Sequence, residues 1–286
     1  MKKIALVLEG GSMLGAYTCG VLDTFMKYNI EFDSVYAISA GAKNSQYFIS
    51  KQPGLAIKVD LKFMHKSKAI SLHNLLFKGA FINRTYYDEY IMKEFAPLDM
   101  KTFNENKCLY YVGATNCLTG EIEYFEKSTS DIRDSVAASC SMPAIQKMCY
   151  INNTPYLDGC IAEGIPYKTA LKDNDFAIIV LNRPIGFRAK PLSKSLIAIH
   201  KNKYKHYPQM LEQLLSSNDR YNQMLDEIEE LEKEGKVLVI RPTSNLKVKR
   251  MEISKNKLIN LYNLGLNDSY NLLDDITKFI GKTENL

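Results

Sequence analysis

Near its N-terminus the chain twice hands an apolar run, through a turn of small residues, to a helical pattern. Ile4–Leu8 is a five-residue apolar run that stops at Glu9-Gly10-Gly11. A helix follows from about Leu14 to Tyr28, with Val21, Leu22, Phe25 and Met26 on one side at helical spacing. Phe32–Ile38 repeats the strand pattern, Ser39 closes it, and Ala40 to about Ser50 reads as the next helix. Strands that alternate with helices in this way imply a layered α/β fold with a largely parallel sheet.

Further along, Leu109–Thr115 and Ile122–Phe125 read as strands around the turn Leu118-Thr119-Gly120. Asp131–Ser139 reads as a short helix with Ser130 as its N-cap and Pro143 beyond its end. Tyr156-Leu157-Asp158-Gly159 is a strand edge entering a turn, and Phe176–Leu181 is the clearest buried strand. Between residues 55 and 105 helical fragments, including Tyr86–Phe95, are broken by Gly79 and Pro97.

Pro208 suits the first turn of a long apolar-striped helix that Ser216-Ser217-Asn218-Asp219 interrupts. Val237–Ile240 is a last strand, and Ser254 caps a final helical region with a weak point at Gly265. The expected organisation is an α/β catalytic region over residues 1–185, with a helix-rich region over 186–286 packed against it, either as an appendage or as part of the same domain.

With 286 residues, 46% hydrophobic and 24% charged, the chain has the mix of a soluble globular protein. Disorder, collagen and coiled coil are excluded. The six cysteines form no C-x-x-C pair and the four histidines no ligand spacing, which argues for buried thiols in a reducing compartment and against a metal site. Met1-Lys2-Lys3 and the run to Leu8 imitate a signal peptide, but Glu9 ends the run too early. No stretch approaches the roughly 20 apolar residues of a membrane span, so the expectation is a cytoplasmic protein.

The net charge of +5 is unevenly spread. Residues 183–209 hold seven Lys or Arg and no acid, whereas residues 219–234 hold seven acids against Arg220 and Lys233. No nucleic-acid module accompanies the basic run, so no nucleic-acid partner is expected.

Three segments carry chemistry. Glu9-Gly10-Gly11-Ser12-Met13-Leu14-Gly15 places backbone N–H groups at a helix start, where they bind an anion or an oxyanion. No two of its glycines are separated by one residue, so the dinucleotide pattern G-x-G-x-x-G fails. The P-loop pattern fails as well, because Ala16 and Tyr17 stand where Lys and Ser or Thr are needed. Ala37-Ile38-Ser39-Ala40-Gly41 is a nucleophile elbow, G-x-S-x-G, with Ala37 for its first glycine. Asp158-Gly159-Cys160 is either a plain turn or, joined to an elbow serine, the base that a weak nucleophile requires.

In this order the three segments resemble the patatin-like phospholipase family. Its loop D/E-G-G-G-x-R/K-G matches Glu9 to Gly15, its G-x-S-x-G matches Ala37 to Gly41, and its D-G-G/A matches Asp158 to Cys160. A family helix ending in A-S-x-x-x-P resembles Ala138 to Pro143. Arg183-Pro184-Ile185-Gly186-Phe187 and Leu261-Tyr262-Asn263-Leu264-Gly265 resemble a bacterial cytoplasmic subgroup.

The resemblance implies a three-layer α/β/α fold with a mostly parallel central sheet. It also implies a serine hydrolase of lipid or other acyl esters that runs on a Ser39–Asp158 dyad without histidine, metal or organic cofactor. Gly10, Gly11, Ser12 and Ala40 would supply the oxyanion hole. Two departures stand out: Ser12 replaces a glycine, where a left-handed backbone would be strained, and Leu14 replaces a basic residue. They motivate the alternative of a catalytically weak or inactive lipid-binding or interaction protein. The basic run Arg183–Lys205 is either a solvated face or a reversible dock on anionic membrane surfaces, with Tyr204 as an interfacial ring.

Overall fold

The computed structural model describes residues 2–63 and 93–284. Eight strands form one sheet: β1 (Ile4–Leu8), β2 (Ser34–Ile38), β3 (Leu109–Asn116), β4 (Ile122–Glu126), β5 (Cys149–Ile151), β6 (Thr154–Asp158), β7 (Phe176–Val180) and β8 (Val237–Ile240). Their order is β5-β6-β3-β2-β1-β7-β8, with β4 also paired to β3. The central pairings β3-β2, β2-β1, β1-β7 and β7-β8 are parallel, and β4, β5 and β6 add antiparallel partners.

The unbroken apolar character of β1 follows from cover on both faces. Ile4, Leu6 and Leu8 enter one core with α1 (Ala16–Lys27), α2 (Ala40–Ile49) and α10 (Lys255–Asn271), through Val21, Phe25, Phe48 and Leu261 among others. Ala5 and Val7 enter the opposite core with α6 (Tyr167–Asp173) and α9 (Ser217–Lys233), through Tyr167, Tyr221 and Ile228. The result is the expected three-layer α/β/α arrangement.

The remaining described helices are α3 (Leu55–Phe63), α4 (Met100–Glu105), α5 (Ile132–Ser139), α7 (Lys194–Lys203), α8 (Pro208–Leu215) and α11 (Leu273–Glu284). Pro208 opens α8, and the anticipated interruption falls at Ser216, between α8 and α9.

Several local expectations are corrected. The cap of α5 is Asp131 rather than Ser130, because the Asp131 carboxylate accepts the N–H groups of Arg133 and Asp134. Gly265 is no weak point. It lies inside α10, where a methyl group would collide with the Tyr17 carbonyl oxygen, and Gly20 meets the Tyr262 carbonyl from the other side. The pair lets α1 and α10 pack backbone to backbone. All six cysteines are free, but only Cys19, Cys117 and Cys149 are buried. The helical reading of Tyr86–Phe95 falls, up to residue 92, outside the described residues.

Candidate active site

Sheet register brings the elbow serine to the aspartate. β2 and β4 pair with the same β3 residues, Tyr111 to Gly113, so they occupy opposite edges of β3. β4 and β6 likewise share Ala114 and Thr115, which puts β6 on the edge that β2 occupies. β2 ends with Ile38 opposite Gly113, and β6 takes over at the next position with Asp158 opposite Ala114. Two strands sharing one edge therefore meet end to end, and the residues at the junction are Ser39 and Asp158.

Ser39 sits at φ 52, ψ −118, a backbone conformation that costs about 1–3 kcal/mol and persists only when its surroundings enforce it. They do. The Ser39 N–H donates to Ser139 Oγ at 2.8 Å, and that hydroxyl donates to the Gly113 carbonyl at 2.6 Å. The Cys140 thiol caps the Ser39 carbonyl at 3.2 Å. Gly41 allows the start of α2 to press on β1, since a methyl there would meet the Leu8 carbonyl at 2.8 Å.

With the turn fixed, Ser39 Oγ donates to Asp158 Oδ2 at 2.8 Å. Both residues are nearly shut off from bulk water, at 6% and 3% exposure. Asp158 Oδ1 accepts the Cys160 N–H at 2.9 Å, which fixes the carboxylate plane. Burial pushes the Asp158 carboxyl above the ordinary carboxylate range. The Cys160 amide, the Ser39 hydroxyl and the charge of Arg250 pull it back down. A desolvated carboxylate hydrogen-bonded to a hydroxyl can take that proton as general base.

The glycine-rich loop arches over this pair. Gly10 lies against Ser39, where a side chain would meet Ser39 Cβ and collide with Cys160 Sγ. Ser12 adopts φ 54, so the left-handed position that favours glycine is occupied by a serine. Gly10 N–H is directed at the Gly164 carbonyl at 3.4 Å, and Met13 N–H at the Arg250 carbonyl at 3.1 Å. Among the described residues, the N–H groups of Gly11, Ser12 and Ala40 have no protein acceptor. Gly10, the fourth expected donor, directs its N–H at the Gly164 carbonyl across a long 3.4 Å contact.

These three segments stand in the family order, and the patatin-like phospholipase model matches residues 6–171. The chain belongs to the patatin-like phospholipase family. Residues 207–281 of this patatin-like protein match a second model, a domain of unknown function (DUF6363). The chain is 31% identical over 187 residues to the Escherichia coli (strain K12) uncharacterized protein YjjU, covering 63% of this chain and 51% of YjjU. It therefore spans about half the length of that relative. A crystal structure of VipD from Legionella pneumophila superposes with a TM-score of 0.49 at 12% identity, covering 96% of this chain and 67% of that one.

Some of the contacts around the patatin-like loop had no signal in the sequence. Glu9 is buried, and its carboxylate accepts the Tyr221 hydroxyl at 2.8 Å and the Asn182 N–H at 2.6 Å. Burial raises its pKa, and those two donors oppose the rise. Tyr221 comes from α9, more than two hundred positions along the chain. Ser139 could have been found, since it is the serine of the Ala138 to Pro143 segment. Leu14 is buried in the core beside α1, a place hostile to a basic side chain.

Among the described residues, no histidine hydrogen-bonds Ser39 or Asp158. His200 is buried on α7, and His65 and His73 lie outside the described residues. The basic run is not uniform. Arg188 pairs with Asp226 at 2.5 Å, whereas Lys201, Lys203 and Lys205 are exposed. Tyr204, expected as an interfacial ring, is 2% exposed and accepts the Ala144 N–H at 2.8 Å. No helix among the described residues is long and apolar enough to cross a membrane.

Proposed function

We propose that this chain is a serine acyl hydrolase that cleaves lipid carboxylic esters through a Ser39–Asp158 dyad. The observation that carries the reading is the 2.8 Å Ser39 Oγ–Asp158 Oδ2 hydrogen bond beneath a loop with unspent amides. Ser39 Oγ attacks the acyl carbonyl carbon as Asp158 takes its proton. Negative charge gathers on the carbonyl oxygen, and the N–H groups of Gly11, Ser12 and Ala40 are the donors available to it. Losing one such donor typically costs about 3 kcal/mol of barrier.

Collapse of the tetrahedral species expels the alcohol, which recovers the proton from Asp158 and leaves an acyl-Ser39 ester. Water deprotonated by Asp158 then attacks that ester, and the fatty acid departs as Ser39 regains its proton. The exposed lysines of the basic run bring the site to an anionic lipid surface.

Incubation with a fluorophosphonate probe, followed by mapping of the labelled residue, tests the reading. Labelling at Ser39, lost in Ser39→Ala and accompanied by ester hydrolysis, is expected. Labelling at another residue overturns the nucleophile assignment. An unlabelled protein without turnover favours the lipid-binding alternative, for which the strained Ser12 is the structural motive.

A further inference from the structure

Two arginines flank the catalytic loop along the backbone, and neither guanidinium has a carboxylate partner within 4.0 Å among the described residues. Arg183 follows Asn182, whose side-chain amide lies 3.0 Å from where a Gly11 side chain would begin. Its guanidinium is half-buried and stacks 4.7 Å over the Phe187 ring, which packs edge-on against Tyr221 at 6.3 Å. Arg250, in the segment between β8 and α10, meets the later part of the loop. Its carbonyl accepts the Met13 N–H, and the next residue, Met251, receives the Ser12 hydroxyl at 3.8 Å.

The nearby acids are already engaged. Glu9 is taken by Tyr221 and Asn182, and Glu252 by the amides of Ile253 and Ser254 and by Lys257. The charge of Arg250 nevertheless reaches Glu9, Asp158, Cys160 and Tyr221, and with burial it depresses the pKa of Arg183. Two like charges flanking one loop, neither paired with a carboxylate, are both relieved by one bound oxyanion between them. Arg250 is exposed, so a ligand reaches it from solvent.

We infer that Arg183 and Arg250 are specificity-determining residues that together grip the phosphate of an acyl-ester substrate while its carbonyl lies over Ser39. This rests on the hydrolase reading above and deepens it. Guanidinium forks suit phosphate because they donate two parallel N–H bonds to its oxygens. Arg250 lies outside residues 6–171 and inside the stretch matched by the model of unknown function, so that stretch gains a role in choosing substrate.

The test compares dihexanoyl phosphatidylglycerol with dihexanoylglycerol, which has the same acyl chains and no phosphate. In Arg183→Gln and Arg250→Gln the ratio of kcat/KM for the phospholipid over the neutral lipid should fall about tenfold each, mainly through KM. Arg250→Lys should retain more of the ratio than Arg250→Gln, since the charge remains and the fork is lost. The loop strap uses the Arg250 backbone carbonyl, so these substitutions leave it in place. An unchanged ratio, or equal losses on both lipids, overturns the assignment.

A second arm needs no turnover. Calorimetry on the Ser39→Ala protein should show dihexanoyl phosphatidylglycerol binding that weakens about tenfold on either arginine substitution. Sodium phosphate should bind far more weakly than the lipid. Equal binding of the two makes this a free-anion site and sinks the substrate role. Should the unsubstituted protein fail to hydrolyse either lipid, the hydrolase reading fails, while calorimetry still decides the arginine pair.

Discussion

Ser39 and Asp158 meet because β2 and β6 share one edge of β3, ending at adjacent positions opposite Gly113 and Ala114. Their geometry is thus written into the backbone register of the sheet, with each side chain needing only one rotamer. Ser39→Ala should reduce ester hydrolysis about 10⁴-fold or more, and Asp158→Asn comparably, with the double variant little worse. Turnover of a p-nitrophenyl ester measures all three. Additive losses would show that the two residues do not act as one unit.

The pH dependence follows from the raised pKa of Asp158. As the base of the proposed dyad it must be ionised, so kcat/KM should fall on the acid side through a pKa above the ordinary carboxylate value of about 3.9. The positive charge of Arg250 lowers that pKa, and Arg250→Gln should move the acid limb to higher pH.

Stability has its own sign. The folded protein holds the Asp158 proton more firmly than the unfolded chain does. This group's contribution is therefore full at low pH and is lost as pH rises through the folded pKa. The melting temperature of Asp158→Asn relative to the unsubstituted protein should accordingly increase as pH rises from the ordinary carboxylate value of about 3.9 through the raised pKa of the folded protein. A constant difference would mean that Asp158 is not held at a raised pKa.

Ser12 offers a test of strain at the same site. Its φ of 54 costs a serine about 1 kcal/mol relative to glycine, so Ser12→Gly should stabilise the fold by about that amount. For a chain of this size the melting temperature should rise by about 2–4 °C. A loss of stability would indicate that the Ser12 hydroxyl contact to Met251 outweighs the backbone term.

The elbow, the glycine-rich loop and the Asp158 turn were legible because each is local: a strand, a turn and small residues within a few positions. Even the strain at Ser12 could be read, since it shows as a missing glycine. The contact of the Gly10 amide was hidden, because Gly164 lies far away in sequence. Tyr221 lies on α9 with no local motif around it, and nothing nearby in the sequence reveals that its hydroxyl ends on Glu9. Gly265 was misread for a related reason. A helical glycine signals weakness by propensity, and only the α1 partner shows that contact requires it.

That contact predicts a large effect from a small change. Gly265→Ala places a methyl group into the Tyr17 carbonyl, so α10 must retreat from α1 along their shared length. Overpacking of this kind typically costs 1–3 kcal/mol, and about 3 kcal/mol is expected here because backbone cannot move aside like a side chain. Urea unfolding measures it. A neutral or stabilised variant would contradict the close packing of α1 on α10.

The basic run on and after α7 yields the last expectation. Tyr204 is packed inward and Arg188 is neutralised by Asp226, whereas Lys190, Lys194, Lys201, Lys203 and Lys205 are exposed, the last three clustered at the end of α7. Ile199, half-exposed on the same helix, can add apolar contact beside them. Each lysine near an anionic bilayer contributes about 1 kcal/mol, so the three together amount to roughly 100-fold in partition. Replacing all three by glutamate should abolish sedimentation with anionic liposomes and leave the weak association with neutral liposomes unaffected. The attraction should also fade as salt rises from 0.1 M to 1 M, where the Debye length shrinks from about 10 Å to about 3 Å. Equal binding to anionic and neutral liposomes would make this run a solvated face, with no bearing on the chemistry at Ser39.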